Sequence, residues 1–152
     1  MKISNKIRFY KKVFSLFSEK RKKFASFSPS YAIIVPLRFK GGFVMLHTID
    51  PAALSLNPFT LIGKDWALLT AGDETGFNPM TVSWGNMGVM WNKNIVTVYV
   101  RPQRYTKEFI DRSDKFTLSF FEESMRPALK LCGSKSGRDP NKVEATGLTP
   151  IF

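Results

Sequence analysis

The sequence predicts a mainly β fold, a β-barrel with small helices, and three stretches carry that expectation. In residues 95–100, Ile95, Thr97 and Tyr99 alternate with Val96, Val98 and Val100, the clearest strand in the chain. Both of its faces are largely apolar, and a strand buried on both sides belongs in a closed barrel or a dimer interface rather than on an open, wet sheet. Phe116, Leu118 and Phe120 define one face of another strand, with Thr117 and Ser119 on the other. Residues 66–70 form a short apolar run stopped by Ala71-Gly72-Asp73-Glu74-Thr75-Gly76, which reads as strand then turn.

Length and charge frame the rest. At 152 residues the chain is one domain by length, with enough apolar sequence to bury a core. A net charge of +11 would ordinarily point to nucleic acid or an anionic membrane surface, but its distribution says otherwise. Residues 1–44 hold 11 basic side chains against Glu19 alone, a net of +10, and 7 of the 14 phenylalanines. Residues 45–152 hold the other 12 basic and 11 acidic side chains, a net of +1. The division expected is therefore a basic leader at 1–44, outside the functional protein, and a nearly neutral domain at 45–152. Lys40-Gly41-Gly42 can be encoded by the purine-rich signal that bacterial ribosomes pair with, at a suitable spacing before Met45, which marks Met45 as a start.

In the leader, Ile7, Tyr10, Phe14 and Phe17 fall at roughly helical spacing. A basic membrane-surface or nucleic-acid helix and a docking arm are the alternatives there. No apolar run approaches the length of a spanning helix, and the leader lacks a signal peptide's uninterrupted apolar core. With one cysteine, Cys132, and one histidine, His47, neither an intrachain disulfide nor a zinc site within one chain is expected, and a reducing compartment, the cytoplasm, is the simpler assignment.

Residues 47–57 read as a polar segment in which Pro51 and Pro58 oppose regular structure. His47 there reads as solvent-exposed rather than catalytic. After Pro79 the chain re-enters extended structure, and Thr81 and Ser83 share one face while Val82 takes the other. With Val82 in the core, both hydroxyls look toward a ligand or solvent. Gly85 and Gly88 permit positive dihedrals or the close approach of a ligand. Trp91 reads as core or dimer packing, and Trp84 as a candidate contact for a flat ring.

Arg101-Pro102 ends the 95–100 strand, and Thr106 is placed to cap a helix running to about Arg112. Backbone N–H groups at a helix start favour an anion, and Arg101, Arg104, Tyr105 and Thr106 add charge and donors, so a phosphate monoester fits. Pairing of both arginines with Glu108, Asp111 and Asp114 is the alternative from pattern alone. Ser124 can cap a further helix that tolerates Pro127 in its first turn and continues through Ala128, Leu129 and Leu131, with Cys132 on the same apolar face as a buried residue. Gly133-Ser134-Lys135-Ser136-Gly137-Arg138-Asp139 is a polar loop with donors for a phosphate or a substrate rim, without the spacing of a Walker motif. Residues 143–145 read as one more helical turn before Gly147.

Taken together, residues 57–72, Met80-Thr-Val-Ser-Trp-Gly85, Gly88-Val-Met-Trp91, Val100-Arg-Pro-Gln-Arg-Tyr-Thr106, residues 116–121 and Leu131-Cys-Gly-Ser-Lys-Ser-Gly-Arg-Asp139 leading to Gly147-Leu-Thr-Pro150 resemble the flavin reductase-like, FMN-binding split-barrel proteins, in their flavoredoxin-like branch. The resemblance runs almost continuously from about residue 57 to 150. It implies a Greek-key-type barrel with small helices, a homodimer, and non-covalent FMN near the subunit interface. Carried over, Thr81, Ser83 and Trp84 contact the flavin or its phosphate, Arg101, Arg104, Tyr105 and Thr106 complete the phosphate side, and Ser134, Lys135 and Ser136 add further contacts. The family moves hydride or electrons through the flavin, so no catalytic side chain is assigned.

Two departures from the family pattern stand out. Residues 1–44 have no counterpart in it, and the chain stops where similar proteins continue with further strands, which implies a barrel incomplete at its C-terminal end. The function expected is an FMN-dependent oxidoreductase or flavin-based electron carrier of the cytoplasm. NAD(P)H or a protein donor would supply the electrons and a small acceptor would take them; no glycine-rich dinucleotide fingerprint chooses between the donors. The competing expectations are a truncated, non-catalytic remnant of such a protein and, from a different class, a basic nucleic-acid or membrane-surface binder. Neither nucleic acid nor a membrane is the expected partner.

Overall fold

Alternating side chains set the centre of the molecule, and the strands they specify pair as an antiparallel sheet. The structure is a computed structural model and describes residues 7–11, 33–38, 44–50, 53–113 and 115–150. Its strands are β1 (Ile7–Lys11), β2 (Ile33–Arg38), β3 (Val44–Ile49), β4 (Ala67–Asp73), β5 (Gly76–Val82), β6 (Gly85–Met90), β7 (Lys93–Val98) and β8 (Phe116–Phe120). The α-helices are α1 (Pro58–Thr60), α2 (Tyr105–Arg112) and α3 (Arg126–Ser134). Six strands form one sheet in the order β3-β2-β1-β8-β4-β5, and β6 and β7 form a separate two-stranded ribbon. Every neighbouring pair is antiparallel. The fold is mainly β with small helices, and among the described residues the large sheet has open edges at β3 and β5.

β4 is the central strand of the packed region because it is apolar on both faces. Ala67, Leu69 and Ala71 join Met80 and Val82 of β5, Phe116, Leu118 and Phe120 of β8, Leu61, and Phe109 of α2 in one buried cluster. Met87 of β6 with Val96 and Val98 of β7 pack onto it. Leu68 points the other way and meets Leu129 and Cys132 of α3, flanked by Trp66, Phe121 and Leu148. One face of the sheet thus carries α2 and the ribbon, and the other carries α3, so a single strand anchors both layers.

Turn chemistry fixes the registers. β4 and β5 are joined through Glu74-Thr75, with Asp73 opposite Gly76. The Asp73 carboxylate accepts from the Thr75 amide at 2.9 Å and the Thr75 hydroxyl at 2.6 Å, and these bonds hold its pKa below the ordinary value. Gly72 sits at φ +111°, where an added Cβ would lie 2.2 Å from the Gly76 carbonyl oxygen, so no other residue fits this hairpin without strain. β6 and β7 turn at Trp91 and Asn92, both at positive φ of 50° and 58°, as a two-residue hairpin of this hand requires.

Several local expectations change. Ile7–Lys11 is a strand between β2 and β8, not part of a helix; it pairs with Ile33 and Ile34 on one side and with β8, over a hundred positions away, on the other, which local spacing cannot reveal. Phe14 and Phe17 lie outside the described residues. His47 is within β3, paired with Val35, so this part of residues 47–57 is regular. Pro58 opens α1, because a first-turn position needs no N–H, and Asn57 caps it by accepting from the amides of Phe59 and Thr60. Leu61–Asp65 follows as a π-helical turn. Pro127 lies in the first turn of α3, as expected, but Ser124 belongs to a preceding 3-10 turn, Glu123–Met125, and does not cap α3. The last short turn is 3-10, at Glu144–Thr146.

The buried-on-both-sides reading of residues 95–100 also fails within this chain. The strand covers Lys93–Val98, its side chains are mostly half-buried, and Tyr99 is exposed. Met87, Val96 and Val98 meet the core along one face of the ribbon, while Val89, Met90 and Trp91, at its hairpin tip, are exposed.

The energetic weight of the two-faced strand can be measured. Leu69 is fully buried, so Leu69→Ala is expected to lower stability by about 2–5 kcal/mol in urea unfolding. Phe59→Ala, at a site 87% exposed, should stay within about 0.5 kcal/mol.

Candidate functional site

The candidate site forms along β5, whose outer edge has no strand beside it among the described residues. Asn78 is buried there, and its side-chain amide donates to the Thr106 hydroxyl of α2 at 2.7 Å. Gly137 lies against the same amide: a Cβ there would fall 2.0 Å from Asn78 Oδ1. Next along the edge, the ammonium of Lys142 donates to the Pro79 carbonyl at 2.7 Å. Arg104, the residue before α2, reaches across to donate to the Gly133 carbonyl at 3.0 Å. These bonds gather the start of α2, the end of α3 and the loop to Lys142 around one cleft of about 210 Å³.

The cleft is electropositive. Arg101, Arg104, Lys135 and Lys142 line it, and no aspartate or glutamate does. Lys135 pairs with Asp139 at 3.5 Å, which offsets part of its charge. The acidic residues that could have neutralised the arginines are engaged elsewhere: Glu108 pairs with Arg138, and Asp111 with Lys107. Asp114 lies outside the described residues. Lys142 is 2% exposed, and burial holds its pKa below the ordinary value, with nearby Arg104 acting in the same direction. Cys132 also lines the cleft; burial pushes its thiol pKa up, so it stays a neutral thiol.

The remaining donors follow from the local chain. No side chain caps α2; the Lys107 amide donates to the Arg104 carbonyl at 2.9 Å, and the amides of Tyr105 and Thr106 are not taken by a capping side chain. The Ser134 hydroxyl donates back to the Lys130 carbonyl at 2.9 Å, leaving it an acceptor. Ser136 accepts from the Arg138 amide at 3.2 Å, which leaves its proton for a ligand. Four cations, a helix start and a hydroxyl donor with no lining carboxylate fit an anionic group. The volume is below the roughly 300–1,000 Å³ of a pocket for a whole drug-sized ligand, so the cleft suits the charged end of a larger molecule.

Of the residues singled out from sequence, Arg101, Arg104, Tyr105, Thr106, Ser134, Lys135 and Ser136 line this cleft. Thr106 does not cap α2. It lies one residue inside the helix, 1% exposed, and its hydroxyl accepts from Asn78. Tyr105 stacks edge-on to Phe109 with Arg138 over its ring at 4.4 Å. Thr81, Ser83 and Trp84 are not in the lining. The Thr81 hydroxyl donates to the Leu129 carbonyl of α3, so it ties sheet to helix. Ser83 follows β5, half-buried. Trp84 is 61% exposed and connects to the cleft through Arg101, whose guanidinium carbon lies 5.8 Å from its ring centre.

Asn78, Gly137 and Lys142 escaped the sequence reading. Lys142 stands in Asp139-Pro-Asn-Lys142, a polar run whose ordinary place is the surface, and only the tertiary contact with Pro79 sets it apart. Gly137 carried a signal in its loop, although its reason, contact with Asn78, is equally non-local.

Lys142 also makes a pH prediction. A lysine with a depressed folded pKa binds fewer protons folded than unfolded, so stability rises as pH climbs from the folded pKa toward 10.5. Relative to Lys142→Met, the wild type should therefore gain stability between neutrality and pH 10.5, as followed by urea unfolding at a series of pH values. A flat difference would contradict it.

Comparison with known families agrees with this chemistry. The model of the flavin reductase like domain matches residues 60–152, more than half the chain, spanning β4 to β8 and the whole cleft. No curated protein and no solved structure matches at a significant level. The matched segment and the mainly β, small-helix architecture make the chain a member of the flavin reductase-like domain family, whose split barrels serve flavin-dependent oxidoreduction.

Proposed function

We propose that the chain is an FMN-dependent oxidoreductase or flavin-based electron carrier, with the phosphate of non-covalent FMN in the cleft between α2 and α3. The observation that carries this reading is the cluster of Arg101, Arg104, Lys135 and Lys142 in a space sized for a charged end, without a carboxylate in the lining. Arg104, Ser136 and the α2 amides hold the phosphate. Trp84, next to Arg101 at the mouth, borders the ring. Bound flavin would supply the electron transfer itself, so the chain's task is to bind, orient and shield it, and no side chain is assigned as acid, base or nucleophile. Electrons come from NAD(P)H or a protein donor and leave to a small acceptor, in the cytoplasm. Among the described residues no helix is long and apolar enough to cross a membrane.

The partner in this reading is a second copy of the chain, covering the exposed apolar side chains of the ribbon. Val89 is 70% exposed, Trp91 76% and Tyr99 58%, a concentration of apolar area on one element that suits an interface. The two-faced apolar pattern of residues 95–100 has the same explanation.

FMN added to the purified chain and then separated by gel filtration should be retained with a perturbed visible spectrum. Arg104→Ala should weaken binding about 10- to 100-fold, the worth of one charged hydrogen bond. Elution without flavin supports the non-catalytic reading instead. In sedimentation velocity the wild type should run as a dimer and Val89→Asp as a monomer; a wild-type monomer removes the self-association reading.

A further inference from the structure

We infer that the edge of β8 opposite β4 is a strand-accepting site and that residues 7–11 are its resident strand, donated by the same chain. The inference concerns the sheet and no cofactor enters it, so it stands apart from the proposed function.

The segment that matches the family, residues 60–152, contains β4 to β8, and among its described residues β8 has one neighbour, β4. Yet β8 has the sequence of a central strand. Phe116-Thr-Leu-Ser-Phe120 holds no charged residue and no proline, the devices by which an edge strand turns other strands away. β5, which does lie at the edge of the sheet, carries Pro79. Four of the five residues of β8 are buried: Phe116, Leu118 and Phe120 in the core cluster, and Ser119 besides. A strand this buried has little access to water for the backbone groups that face away from β4, so they need a partner.

β1 supplies that partner. It pairs with β8 over its whole length, from Ile7 opposite Phe120 to Lys11 opposite Phe116. The register sets Ile7 and Phe9 opposite Phe120 and Leu118, which are 3% and 1% exposed, and sets Arg8 and Tyr10 opposite Ser119 and Thr117. Residues directly opposite share a face of the sheet, so a slip of one position would set Arg8 against Leu118 or Phe120. The edge therefore selects an extended segment with apolar residues two apart and a polar residue between them, which Ile7-Arg8-Phe9 provides. β2 in turn pairs with β1 at Arg8 and Phe9, so the added strand is itself covered there. Along the chain β8 joins α2 to α3, and both helices contribute to the cleft, so the strand that holds β8 also steadies the cleft. Residues 7–11 thus belong to the working domain, although the charge distribution sets them apart.

The test uses the full chain, with backbone hydrogen exchange followed by NMR at residues 116–120. In the wild type the amides of β8 that face β1 should be protected as well as those that face β4, and this protection should not change on dilution. Phe9→Pro, which removes an N–H and clashes within a strand paired on both sides, should speed exchange at alternate β8 amides by about tenfold or more while the β4-facing ones slow their neighbours' opening as before. A fluorescent peptide of residues 5–13 should bind the Phe9→Pro chain and restore that protection. It should not bind the wild type, whose own strand occupies the edge, and the same peptide carrying Phe9→Pro, equal in charge, should bind neither. If Phe9→Pro does not fold, Ile7→Pro at the end of the ladder is the milder variant, and the wild-type exchange pattern decides by itself. Wild-type β8 amides unprotected on the β1 side, or protection unchanged by the proline variants, overturns the inference. Protection that falls on dilution overturns it too, because the strand then comes from a second copy.

Discussion

Everything around the cleft depends on how the outer edge of β5 is closed. An edge strand presents backbone groups that must find partners, and proline on such an edge leaves a carbonyl without an adjacent N–H. Here Lys142 satisfies Pro79, and Asn78 one residue earlier turns inward to Thr106. The Lys142 bond satisfies an edge carbonyl from a side chain rather than from another strand, and Lys142 and Asn78 both line the cavity. That choice turns a structural requirement into a binding surface.

The same constraint explains why two helices from opposite layers meet there. Thr106 belongs to α2, on the face shared with the Phe109 cluster, whereas Thr81 bonds to α3 on the other. Between them, Gly133 and Gly137 let the end of α3 and its loop come close: a Cβ at 133 would touch Thr81 at 3.4 Å, and one at 137 would collide with Asn78. The polar loop after α3 is thus pressed onto the sheet edge by its glycines, and Ser134, Lys135 and Ser136 are carried to the cleft with it.

The sequence showed clearly what local pattern controls and hid what distant contacts control. Alternation at Phe116, Leu118 and Phe120 revealed β8, and the proline rule placed Pro127 in the first turn of α3, because each depends on neighbours a few residues away. The arginines, Tyr105 and the serine-lysine loop were legible as donors because their residue types cluster along the chain. Ile7–Lys11 was hidden, since its strand state comes from pairing with β2 and with β8, both distant along the chain. Thr106 looked like a cap because threonines favour that position, and it was drawn one residue inside the helix by a buried bond to Asn78, which no local rule contains. Lys142 was the deepest loss: its type predicts exposure, and its burial exists only in three dimensions.

The charge distribution completes the argument about function. A strongly basic chain invites a polyanion as its partner, yet the cations that matter at the cleft come from the nearly neutral part of the sequence, not from the basic residues 1–44. Their effect arises from arrangement: Glu108 and Asp111 are held in ion pairs elsewhere, so Arg101, Arg104 and Lys142 act on the same small volume without a lining carboxylate. A segment of net charge near +1 thereby presents a locally positive field at the cleft. That field follows from burial and fixed geometry rather than from total charge.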